Sequence, residues 1–137
     1  MIQKLALEPG NSEDLAFAYA CLVYGAVSFE EFIQWAFYVI ENTENFPDYF
    51  LNIIDLKQRY ELKPSDTFGF DPVWSHRNLE MKIIMAIGFK RGIKKAEDII
   101  KRAEQEKYLK NDKNIISRFY NTFPFLREKD EFNGVYF

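Results

Sequence analysis

Ser28-Phe29-Glu30-Glu31-Phe32-Ile33-Gln34-Trp35-Ala36-Phe37-Tyr38-Val39-Ile40 decides the fold class of this chain. Ser28 followed by Glu31 has the form of a capping box: the serine covers a free amide at the helix start and the glutamate reaches back. Behind it, Phe29, Phe32, Ile33, Ala36, Phe37 and Ile40 recur at the spacing of one helical face. No period-two alternation competes with that pattern, so the segment is read as an amphipathic helix.

The same periodicity extends outward. Upstream, Asn11 and Ser12 are cap candidates before Leu15, Ala18, Tyr19, Leu22 and Val23, and Gly25 has the place of a C-terminal glycine. Downstream, Asn45-Phe46-Pro47-Asp48 starts a third helix with Tyr49, Phe50, Ile53 and Ile54 inward. The segment from about 61 to 75 holds Pro64, Gly69 and Pro72 and reads as a long structured loop packed through its aromatics. A fourth helix is expected from about His76 to Lys90, capped by Ser75 and ended by Gly92. A fifth runs over roughly Lys94 to Leu109, and a sixth, capped by Asp112, carries Ile115, Ile116, Phe119 and Tyr120 and stops before Pro124. Phe132 to Phe137 reads as a short strand or extended tail. The expectation is all-α: one compact domain over 1–137, a bundle of about six helices.

Composition narrows the classes. Hydrophobic residues make up 47% of the chain and aromatics 18%, with 14 Phe and 8 Tyr, which favours a rigid packed domain over disorder. One Cys and one His exclude a disulfide framework and the common four-ligand zinc sites. Cys21 lies in an apolar run and reads as a buried, inert thiol; His76, at a helix start, reads as a surface or capping residue. The six glycines are scattered and form no phosphate loop. Neither a catalytic, a cofactor nor a metal site is expected. Glu41 with Glu44, and Glu44 with Asp48, have helical spacing, but a helix break near Asn45 and the lack of a histidine favour a solvated acidic face. No signal peptide and no membrane-length apolar run are read, so a cytoplasmic protein is expected.

Charge is the remaining signal. Residues 1–80 carry 5 basic and 13 acidic side chains, net −8, whereas residues 81–137 carry 13 and 8, net +5. Lys90-Arg91-Gly92-Ile93-Lys94-Lys95 resembles a phosphate-contacting cluster and supports an alternative reading as a nucleic-acid-binding or regulatory protein. Interleaved Glu97, Asp98, Glu104 and Glu106, and a pI near 5.3, weigh against it. The acidic half fits a basic protein partner better, through Glu30, Glu31, Glu41, Glu44, Asp48, Asp55, Asp66 and Asp71. Trp35, Tyr38 and Tyr49 are candidate aromatic anchors where they face outward.

Phe29-Glu30-Glu31-Phe32-Ile33-Gln34-Trp35-Ala36, Ile40-Glu41-Asn42 and Phe46-Pro47-Asp48-Tyr49-Phe50-Leu51-Asn52-Ile53-Ile54-Asp55-Leu56 together resemble small helical immunity proteins. Those proteins accompany contact-dependent growth inhibition and related polymorphic toxins of bacteria. The similarity is one of helix types over about residues 15–60, with Ile84 to Gly92 as a further stretch. It implies a cytoplasmic protein that binds and neutralises a cognate toxin domain, commonly a basic nuclease, and it carries over no catalytic residue.

Overall fold

Pro9 and Gly10 turn the N-terminal segment back on itself, so that Glu8 and Asn11 exchange backbone hydrogen bonds of 3.1 and 2.9 Å. The returning chain enters α1 (Glu13–Val23), and Asp14 accepts the Ala6 amide at 2.6 Å, holding that segment against the first turn. The structure, a computed structural model, describes residues 4–76, 78–93, 102–111 and 113–137. Eight α-helices and one 3₁₀ turn occur among the described residues, with no strand beyond the single Glu8–Asn11 bridge.

The order is α1, α2 (Phe29–Asn42), α3 (Tyr49–Asp55), a 3₁₀ turn (Arg59–Glu61), α4 (Pro64–Phe68), α5 (Asn78–Lys90), α6 (Arg102–Asn111), α7 (Lys113–Thr122) and α8 (Phe125–Phe132). The all-helical class is therefore as the periodicity implied. At its C-terminus α1 closes with two crossed bonds, Ala26 N to Cys21 O at 2.8 Å and Gly25 N to Leu22 O at 3.2 Å. That closure needs a left-handed residue, and Gly25 supplies it at φ 82. α2 begins immediately after Ser28 and so places Glu31 at its third position, 1% exposed.

Two compact units emerge, Met1–Ala20 with Phe29–Trp74, and Cys21–Ser28 with Ser75–Phe137; α1 contributes its first eight residues to one and its last three to the other. In the first unit Trp35 meets Phe32 and Phe50 with ring centroids 5.4 and 5.5 Å apart, and Phe17 meets Trp74 edge-on at 5.2 Å. In the second, Ile83, Ile84 and Ile87 of α5, Phe119 of α7, and Phe123 and Leu126 are fully buried.

Three expectations are corrected. The region over 61–75 is not a continuous loop: Pro64 starts the short α4, and Glu61 accepts the Lys57 and Gln58 amides at 2.7 Å to cap the 3₁₀ turn. The expected strand or extended tail over Phe132 to Phe137 is corrected at its start, since Phe132 ends α8, which Pro124 precedes at a fixed φ of −64, and residues 135–137 carry no strand. The buried stripe of α2 is Phe32, Trp35, Ala36 and Val39, while Phe37 is 47% exposed. Both registers of that segment are apolar, and the one that buries the larger Trp35 prevails. The expected fourth helix starts at Asn78, after Ser75 and His76. Of the expected fifth, residues 94–101 lie outside the described residues, as does the Asp112 cap.

Candidate acidic interface

The two units divide the charge. By sequence the first carries 12 acidic and 4 basic side chains, net −8, and the second 9 and 14, net +5, so they sum to the −3 of the chain.

Within the first unit, helix spacing sets out the acids in rows. Glu30, Gln34, Phe37 and Glu41 follow i, i+4, i+7, i+11 along α2, and all four are exposed. Asp48, Leu51, Asn52 and Asp55 repeat the device along α3, with Leu51 50% exposed. Glu44, in the linker after α2, and Asp66, on α4, are exposed as well. Among the described residues none of Glu30, Glu41, Glu44, Asp48, Asp55 and Asp66 has an ion-pair partner. Asp71 is exposed and accepts the Ser65 hydroxyl at 3.0 Å. With α2 ending at Asn42 and α3 starting at Tyr49, Glu44 and Asp48 share no helical face.

Three expected contact residues are spent on the core instead. Glu31 and Trp35 are each 1% exposed. Tyr49 is 9% exposed, stacks on Phe50 at 4.9 Å and donates its hydroxyl to Leu7 O at 2.6 Å. Trp35 and Tyr49 therefore present no anchor to solvent, and Tyr38 is only half-exposed. Phe37, assigned inward by periodicity, is the ring that α2 offers outward.

An open cleft of about 510 Å³ also belongs to this unit. Glu8, Phe46, Asp48, Tyr49, Phe68 and Phe70 are among its walls, and among the described residues no basic side chain lines it. A second cleft, of about 260 Å³, lies in the other unit among Lys113, Tyr120, Arg127, Glu131, Tyr136 and Phe137. Arg127 there places its guanidinium 5.0 Å from the Tyr120 ring centroid.

The basic run of the second unit is partly structural. Arg91 has a side chain 1% exposed, donates from Nε to Asp130 Oδ2 at 2.8 Å and from Nη1 to Ala26 O at 2.6 Å. Tyr120 donates to the same Asp130 oxygen at 2.5 Å. Lys90 pairs with Glu106 at 3.3 Å. Arg91 is therefore withdrawn from any phosphate, and Lys94 and Lys95 lie outside the described residues. His76 is exposed, with Nε2 3.5 Å from the Tyr24 hydroxyl. Cys21 is fully buried, and burial raises its thiol well above the ordinary range against the lowering effect of Arg118 and Arg91. No group of three or more metal-ligating side chains is assembled among the described residues, and no described helix is long and apolar enough to cross a membrane.

Two tyrosines link the packing to pH. Burial first, then the Glu8 charge, raises the Tyr49 hydroxyl; burial, then the Asp130 hydrogen bond and charge, raises that of Tyr120. Both keep their protons in the folded state above the ordinary tyrosine value of 10.0, where the unfolded chain releases them. The native state then binds more protons than the unfolded one, so stability falls as pH rises through that range, with Cys21 adding to the fall from its ordinary 9.0. Urea midpoints should be level from about pH 7 to 8 and decline above about pH 10, and Tyr49→Phe with Tyr120→Phe should flatten the decline. A midpoint that stays level to about pH 11 would refute the assignment.

Comparison with protein-family models, with curated proteins and with solved structures finds no match to this chain.

Proposed function

We propose that the protein is an immunity protein, not an enzyme, which neutralises a cognate basic toxin domain through the acidic surface of its first unit. The observation that carries this reading is the set of exposed acids on α2, α3 and α4 that have no ion-pair partner among the described residues, together with the exposed Phe37 and Leu51 of α2 and α3. Carboxylates left unpaired in a unit of net −8 speed the approach of a basic partner and fix its orientation, and a central apolar side chain then supplies desolvated contact. The helix types of residues 15–60 and their likeness to bacterial immunity proteins support the same reading. The partner acts in the cytoplasm in this account, and a nuclease-type toxin fits the charge.

The proposal requires a neighbouring reading frame that encodes a toxin-like C-terminal fragment, and the test is co-expression and binding with that fragment. Glu30→Lys, Glu41→Lys and Asp55→Lys together should weaken binding by about a hundredfold and abolish protection, mostly through a slower, less salt-sensitive association. The three positions are exposed, so the melting temperature should stay within a few degrees of wild type. Protection and affinity left intact in the triple variant would show that this surface is not the binding face.

A further inference from the structure

We infer that the aromatic–acidic cleft of the first unit receives one cationic side chain, arginine or lysine, of the basic partner; this rests on the binding role proposed above. The chemistry of the walls selects the occupant. Glu8 and Asp48 contribute two exposed carboxylates, and neither is consumed locally: among the described residues they have no ion-pair partner, and Asp48, directly before α3, makes no side-chain cap hydrogen bond. An anion is repelled by this pair. A neutral apolar group gains nothing from it.

The remaining walls are π surface. The Tyr49 ring meets Phe68 at 5.6 Å and Phe70 at 6.0 Å, both edge to face, and Phe46 meets Phe50 in the same way at 6.5 Å. Tyr49, 9% exposed with its hydroxyl turned away to Leu7 O, and Phe68, 4% exposed, back the cleft as its floor, so the ring surface open to a ligand is that of Phe46 and Phe70. Phe46 and Phe70 are half-exposed. Carboxylates to pair the charge and ring faces to cover the aliphatic stem are the two requirements for holding an arginine or lysine head that has left water.

The cleft is also preformed. Glu8 is fixed by both backbone bonds to Asn11, and Phe68 is 4% exposed at the end of α4. Among the described residues no basic side chain lines the site. A partner therefore meets ring walls already in place, which spares the cost of ordering them on binding, while the exposed carboxylates turn to meet its charge.

The experiment separates the cleft from the wider function. Backbone amide shifts are followed by NMR as an Ac-Gly-Arg-Gly-amide peptide is added, with the citrulline peptide as a neutral isostere. Saturable shifts at Glu8, Asp48, Gly69 and Phe70 are expected with arginine and not with citrulline, weakened about tenfold in the Glu8→Gln, Asp48→Asn double variant. The same variant should bind the toxin fragment about tenfold more weakly. Absent shifts at those amides, or equal responses to both peptides, would overturn the cation site. Arginine-specific shifts with unchanged toxin affinity would overturn its use by the partner and leave the proposed function standing. If wild type fails to bind the toxin fragment, the proposed function falls, and the peptide titration still decides whether the cleft takes a cation. Should the double variant be poorly folded, Phe70→Leu, which removes ring face but no charge, is read by the same titration and should lose most of the arginine response.

Discussion

Asp130→Ala is expected to cost about 3–5 kcal/mol, a large share of the stability of a chain of this size. The carboxylate is 4% exposed at its side chain and the guanidinium of Arg91 1%, so neither charge regains water when its partner is lost. Removing Asp130 takes its carboxylate from a buried guanidinium whose contacts include the neutral Ala26 carbonyl at 2.6 Å and the Phe119 ring at 5.6 Å. It also orphans the Tyr120 hydroxyl. Tyr120→Phe should cost only about 1–2 kcal/mol, since the ion pair survives it. Arg91→Met with Asp130→Leu is the decisive control: a buried pair replaced by apolar groups of similar volume is often close to neutral, so the double variant should recover most of the loss. Urea denaturation measures all four proteins. A loss of under about 1 kcal/mol in Asp130→Ala would mean that the pair opens to solvent.

That pair illustrates where local reading of the sequence stops. Arg91 and Asp130 are 39 positions apart, and nothing in either neighbourhood marks them as inward-facing. In the sequence Arg91 belongs to a basic run and Asp130 to the charged segment Arg127-Glu128-Lys129-Asp130-Glu131, both of which read as solvated. Their meeting is a tertiary event. The helix that carries Asp130 was hidden for a related reason. α8 buries only Leu126 and Asp130, four residues apart, so its apolar stripe is one residue wide. Its ends follow ordinary helix chemistry once it is seen: Pro124 stands before it, and after it Gly134 and Val135 close back onto Glu131 O and Asp130 O at 3.0 and 2.8 Å.

Exposure of charge was the more legible layer. Carboxylates stay in water unless something compensates them, so Glu30, Glu41, Glu44, Asp48, Asp55, Asp66 and Asp71 all lie outward as their chemistry requires. The aromatics obey no such rule. α2 carries Phe29, Phe32, Trp35, Phe37 and Tyr38, enough rings for almost any face, and periodicity alone could not decide between Trp35 and Phe37. Packing decided it. The helix turned Trp35 toward Phe50 and left Phe37 exposed, so the outward ring differs from the one expected, and Glu31 leaves the expected acidic set for the core.

Gly88→Ala tests the other tight joint of the second unit and should cost about 3 kcal/mol net. A methyl at Gly88 would lie 2.1 Å from Gly25 O, 2.7 Å from Gly25 C and 3.2 Å from Ala26 Cα. These are backbone atoms, which cannot rotate aside, so α5 must move away from the turn that ends α1. Overpacking of that severity lies at or above the upper end of the usual range, about 3–4 kcal/mol, and the helix preference of alanine over glycine returns only about 1. Gly92→Ala is the control: its Cβ would meet nothing within 4 Å, so only the strain of φ 74 applies, about 1 kcal/mol. Moving α5 from that turn also stretches the Arg91–Ala26 bond, because Arg91 follows directly on α5 and Ala26 on Gly25. Gly88→Ala and Asp130→Ala thus loosen one joint from two sides. Combined, they should cost measurably less than the sum of their separate losses, by about 0.5 kcal/mol or more, whereas independent sites would add.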